Sequence, residues 1–200
     1  LKKYLPPSFQ VELSGTKWGI MLVANANKYP GLTDPSRMRI TASGPMQDRL
    51  VSIMLDDFRT ELLMLHAPHQ KPEEALHKLE ENMEQFIKES IMKVHESFSV
   101  FMLGDFNLSQ EPLQKVPEVV FHRLFHEGVG VTCDISVYSS PKGHKDASGE
   151  RKTVDHALGA TFKFDTIGLL EARDILTREA REHLAAKEQP LIEVSPKSRF

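Results

Sequence analysis

The sequence predicts an α/β fold built on a substantial sheet, and three observations predict it. Short apolar runs recur along the chain: Lys17–Asn25 (KWGIMLVAN), Arg49–Leu55 (RLVSIML), Glu61–His66 (ELLMLH) and Phe98–Leu103 (FSVFML). Their length and composition suit buried strands. Between the third and fourth runs, Leu76, Leu79, Met83, Phe86, Ile87, Ile91 and Val94 recur at three- and four-residue steps, which is one apolar face of a helix. Hairpin, helix and strand in that order make a sheet with helices packed on it.

The elements follow in order. Val11–Leu13 reads as the hairpin partner of Lys17–Asn25, with Ser14-Gly15 as the turn. Tyr29–Pro45 holds three Pro and two Gly and reads as a long surface loop. Asp56-Asp57-Phe58-Arg59 joins the next two strands as a hairpin turn. Pro72 opens the long helix, and Glu73 and Glu74 sit in its first turn, where the helix dipole favours negative charge. Pro117–His126 reads as a short helix ended by Glu127-Gly128. Val131–Tyr138 reads as a strand, Ser139–Lys152 as a polar loop, and Thr153–Phe164 as holding another strand. Leu170–Lys187 has the composition of a charged, solvated helix, and Leu191–Val194 is strand-like. Trp18 and Phe162 are expected in the core.

With 200 residues and 22.7 kDa, the chain is expected to form one domain, residues 1–200. A domain of this size buries roughly 70% of its unfolded surface. Hydrophobic content of 40% and charged content of 26% are those of a globular protein. A net charge of −3 and a pI near 6.3 argue against a basic nucleic-acid-binding module, although a local basic patch would suffice for an enzyme that touches nucleic acid. The single cysteine, Cys133, excludes an internal disulfide and favours an intracellular, reducing compartment. No apolar run approaches the ~20 residues of a membrane span. The chain opens at Leu1 with no initiator Met and no signal-peptide pattern, so a processed chain or an excised domain is expected.

Three places carry chemistry. Phe101–Asn107 (FMLGDFN) runs an apolar strand into Gly104, a carboxylate, an aromatic and an amide. The two-residue period of a strand puts Asp105 and Asn107 on one face. An acid beside an amide suits a cation with oxygen ligands and a bound phosphate. The plainer reading is a strand followed by an Asx turn. His66 closes a buried strand in LMLHAPHQ, and a histidine there is often structural. In KTVDH, Asp155 opens a strand after a long polar loop, where a strand-edge carboxylate is the plain reading. All three lie at strand ends, where open sheets present ligands to substrate.

In that order, LMLHAPHQ, an amphipathic helix from Pro72 and then FMLGDFN, the run from Arg49 to Asn107 resembles the central part of the endonuclease/exonuclease/phosphatase superfamily, most of all its pancreatic-deoxyribonuclease branch. The resemblance implies a four-layered α/β sandwich, two mainly antiparallel sheets flanked by helices. It implies a Mg²⁺-dependent phosphoester hydrolase, with Mn²⁺ as a substitute metal, acting by direct attack of water. His66 would then contact the scissile phosphate and protonate the leaving oxygen. Asp105 would orient the water or bind metal, Asn107 would contact phosphate and metal-bound oxygen, and Asp155 would lie near a second metal position. Asp105, Asn107 and Asp155 form the implied metal set.

Two family landmarks are missing: the metal-binding Gln-Glu pair, which would precede the run at Lys17–Asn25, and the terminal Ser-Asp-His. Asp155-His156 is either a variant of that terminal motif or the earlier strand acid, and the second is preferred. The domain is therefore expected to be incomplete at both ends. His69 is a candidate for lining the substrate cleft. Lys145 and Arg151, in a basic loop with Lys142, His144 and Lys152, are candidates for contacting phosphates. The expected substrate is a phosphodiester in a nucleic acid, with a phosphoinositide or sphingolipid headgroup as the near rival. A non-catalytic scaffold on the same fold is the rival from another class.

Overall fold

The computed structural model of the chain describes residues 4–13, 20–30, 32, 34–40, 49–93, 95–125, 129–140, 144–145, 149 and 151–188. Ten strands and three α-helices are found among them. β1 (Phe9–Leu13) pairs antiparallel with β2 (Met21–Asn25) as the expected hairpin. Ser14-Gly15, Lys17, Trp18, Val94 and Leu191–Val194 lie outside the described residues.

Six strands make the main sheet: β3 (Met38–Ile40), β4 (Leu50–Leu55), β5 (Thr60–His66), β6 (Ser97–Asp105), β7 (Val131–Ser139) and β10 (Asp155–Phe164). Their order across the sheet is β3-β4-β5-β6-β10-β7. Every pair is antiparallel except β5–β6, which run parallel because α1 (Pro72–Met92) carries the chain back between them. β3 lies within the stretch expected to be a loop. Its Arg39 forms an ion pair with Glu89 of α1, and that anchors the short strand.

One face of the sheet carries the helices. Leu79, Met83, Phe86, Ile87 and Ile91 of α1 are fully buried against Leu63, Phe98, Val100 and Met102. Phe86 meets Phe98 edge to face at 5.7 Å. α2 (Gln110–Phe125) begins seven residues before the expected start, and Pro117 lies inside it. Leu113, Val116, Val120 and Leu124 keep helical spacing straight through the proline and are buried. Packing of that stripe outweighs the one backbone hydrogen bond that proline forgoes. α3 (Thr166–Glu188) buries Leu169, Ala172 and Leu176 near its start and leaves residues 178–186 exposed, as its charge pattern predicts. Phe162 is in the core as expected.

On the opposite face, Val51, Ile53 and Met64 form a second buried cluster, with Ile20, just before β2, and Leu22 of β2 packed against it. The chain therefore stacks a helical layer, a six-stranded mainly antiparallel sheet and a two-stranded ribbon, layers of an α/β sandwich. β8 (His144–Lys145) and β9 (Arg151–Lys152) form a small ribbon in the expected polar loop between β7 and β10.

Candidate functional site

Strand register decides which polar side chains meet. His66 ends β5, Asp105 ends β6 and Asp155 begins β10. His66 is the parallel partner of Asp105, and Asp155 is the antiparallel partner of Asp105. The three occupy one row across neighbouring strands. Leu65, Gly104 and His156, the adjacent positions, belong to the helix-covered face, so the row faces away from the helices. All three side chains are half-buried.

The Phe106 N–H donates to Val154 O at 2.8 Å. Hydrogen-bonded and non-bonded pairs alternate in an antiparallel ladder, so Asp105 and Asp155 form a non-bonded pair, the kind in which side chains approach most closely. Like charges directly opposite each other are destabilising. A bound cation would offset that cost.

Asn107 is tied into the strand ends by both its backbone and its side chain. The next rung of the parallel ladder would run from its N–H to Ala67 O. With φ at +50° its backbone turns away, and the N–H instead donates to Asp105 Oδ1 at 3.0 Å. The side-chain Nδ2 takes over the rung, donating to Ala67 O at 2.6 Å. Ala67 N–H in turn donates to Asp105 O at 2.8 Å. The Asx turn of the plainer sequence reading is therefore present, and it orients the Asp105 carboxylate while tying the ends of β5 and β6 together.

Gly104 has φ of +142°, and a Cβ there would lie 1.8 Å from Leu65 O. Only glycine lets β5 and β6 come this close just before the acid. His66 is fixed by its own N–H, which donates to Arg49 O at 2.9 Å, and by Arg49 Nη1, which donates to His66 O at 3.4 Å.

His156 turns to the other face. It is buried, its Nε2 lies 3.0 Å from Leu108 O and its Nδ1 lies 2.9 Å from Ser139 Oγ, which itself reaches Gln110 Oε1. A carbonyl only accepts, so Nε2 carries a proton. The adjacent pair Asp155-His156 thus splits across the sheet, the acid toward the open row and the imidazole into the core. The acid and the imidazole of this pair therefore do not face one water together.

The other candidates are placed less closely. His69 is exposed in the loop between β5 and α1, three residues past His66. Lys145 and Arg151 are register partners across β8–β9, in the connection that enters β10 just before Asp155. Lys142 lies outside the described residues. Sequence reasoning missed the Ser139–His156–Leu108 chain behind the site and the bond from Asn107 Nδ2 to Ala67 O, since neither has a local signal.

Among the described residues, no group of three or more His, Cys, Asp or Glu side chains is placed to hold a metal ion. Asp105 and Asp155 still fit a cation such as Mg²⁺, which takes one or two carboxylates and completes its shell with water and phosphate oxygens. They do not fit a closed cage of protein ligands. No helix among the described residues is long and apolar enough to cross a membrane.

No protein-family profile matches the chain, and no curated protein matches it. Among solved structures, the crystal structure of D. rerio TDP2 humanized by 14 mutations is similar to it at 14% identity and a TM-score of 0.30, over 78% of this chain and 75% of that one.

Proposed function

We propose that the row His66, Asp105 and Asp155 is the core of a Mg²⁺-dependent phosphoester hydrolase of the endonuclease/exonuclease/phosphatase kind, acting by direct attack of water on a phosphodiester. One observation carries the reading: two carboxylates stand opposite each other in a non-bonded strand pair, with an imidazole in register on the next strand. Phosphodiester hydrolysis needs an oriented water, positive charge at the phosphoryl oxygens and a proton for the leaving oxygen. Asp105, braced by the Asn107 N–H, orients the water. Asp105 and Asp155 would hold a Mg²⁺, which when bound would supply positive charge at the phosphoryl oxygens. His66 donates the proton. Asn107 acts through Asp105 as a positioning residue. Lys145 and Arg151 steer the flanking phosphates of a nucleic-acid strand.

The test is hydrolysis of a single-stranded oligonucleotide and of phosphoinositide and sphingomyelin vesicles, each with and without Mg²⁺ or Mn²⁺. Metal-dependent cleavage of one of them, lost in Asp105→Asn, is the expected result. No cleavage of any by wild-type protein, with no Mg²⁺ binding by calorimetry, overturns it.

A second reading is a binding or scaffold domain that retains the fold without the reaction. The absence of a three-ligand cluster among the described residues favours it. Mg²⁺-independent binding of an oligonucleotide without cleavage is its signature.

A further inference from the structure

We propose that β7 is a dimerisation edge: two copies of this chain pair antiparallel through β7, with the two-fold axis at Ile135, and join their sheets into one. The two edges of the sheet differ. β3, at one edge, has three residues, whereas β7, at the other, has nine. Proteins blunt long edges with proline, lysine, bulges or a covering segment. β7 (VTCDISVYS) contains no Pro, Gly or Lys, and it pairs without a break with β10. Five successive residues, Thr132–Ser136, are exposed, and so is Tyr138. Ile135 is 39% exposed and Tyr138 67%.

Among the described residues, no strand pairs with the outer edge of β7. Ser140 N–H donates to Asp155 O at 3.1 Å. Hydrogen-bonding direction alternates along a strand, so even-numbered residues of β7 address β10. Cys133, Ile135 and Val137 then direct their N–H and C=O groups outward.

A two-fold axis at Ile135 uses all of these groups. It sets Ile135 against its own copy, Cys133 against the copy's Val137, and Val131 against the copy's Ser139, overlapping the full nine residues. The strand's one charge, Asp134, meets Ser136 of the copy and is neutralised within its own chain by Lys163 Nζ at 3.0 Å. An axis one residue earlier would oppose Asp134 to itself, a destabilising register. The pairing draws on no residue of the proposed active row, so it stands or falls separately from the phosphoester reading.

Sedimentation over a dilution series reads the assembly. Wild-type protein is expected to sediment as a concentration-dependent dimer. Ile135→Lys, which puts two ammonium groups at the axis, should raise the dimer dissociation constant by at least about 30-fold. Ile135 is partly exposed, and an unchanged far-UV spectrum with cooperative unfolding confirms that the monomeric variant is folded, its melting temperature falling only by what the lost association contributed. Hydrogen-bonded antiparallel partners stand about 5.5 Å apart at Cα, within disulfide reach. In a Cys133→Ser background, Ile135→Cys should therefore crosslink to a covalent dimer under mild oxidation, and Val131→Cys should not. Wild-type protein that stays monomeric at every concentration overturns the proposal. So does a dimer untouched by Ile135→Lys, or crosslinking as efficient at position 131 as at 135.

Discussion

Asp105 and Asp155 are Cα partners across β6 and β10, two acids set face to face at the end of the sheet that His66 shares. Fifty residues of chain separate them, and one rung of a ladder joins them.

Neutralising either acid separates stability from function. Asp105→Asn removes the like charge opposite Asp155 and keeps an oxygen for the Asn107 N–H, so it should hold or raise stability by about 0.2–1 kcal/mol; Asp155→Asn is assayed beside it. Each should lower Mg²⁺-dependent hydrolysis at least about 10²-fold. Urea denaturation together with a phosphodiesterase assay measures both. A clear stability loss with activity intact would make the pair structural.

His66→Ala should lower kcat by roughly 10²–10⁴ if the imidazole protonates the leaving oxygen, with KM nearly unchanged. Substrates with better leaving groups should lose less, because they need the proton less. An equal loss across leaving groups rules out the acid role.

His156→Ala should act on folding alone. It strips Leu108 O and Ser139 Oγ of a buried partner, at a cost of about 1–3 kcal/mol. Below the melting transition, turnover should match that of wild type. A specific loss of kcat with the fold intact would place the imidazole in the reaction after all.

Glu61 supplies a pH signature remote from the site. It is fully buried, beside Ser52 and Arg39, and its Oε2 has no hydrogen-bond partner. Burial pushes its carboxyl up to about 7, opposed by the Ser52 hydroxyl and the Arg39 guanidinium and reinforced by Glu89. A folded-state value above the unfolded one means that the native state holds the proton more tightly. Stability from this group is then full below about pH 4.5 and is lost as pH rises to about 7, by about 3 kcal/mol. Glu61→Gln, which mimics the protonated acid, should remove that slope. Denaturation curves of both proteins from pH 4 to 8 should diverge with rising pH, wild type becoming the weaker; parallel curves would exclude the titration.

Gly104→Ala should be among the most destabilising single-methyl changes, beyond about 3 kcal/mol, since its Cβ would overlap Leu65 O. Chemical denaturation measures it. A loss under about 1 kcal/mol would mean that β5 and β6 can separate without harm.

Local pattern made much of this legible. The stripe from Leu76 to Ile91 identified α1, and short apolar runs identified β4, β5 and β6, because burial acts residue by residue along an element. Short elements were not legible. β3 carries three residues in a proline-rich stretch and exists through Arg39 and its partner on α1. The early start of α2 was hidden by Pro117, whose local preference is overruled by the buried stripe on either side.

The sequence by itself determined that His66, Asp105 and Asp155 stand at strand ends, because the apolar runs stop there. Tertiary structure alone decided that these ends lie in one row, and that His156, one residue from Asp155, faces the core. The reason is register. Pairing between strands far apart in sequence is set by the whole sheet, and a shift of one residue would send each of these side chains to the opposite face.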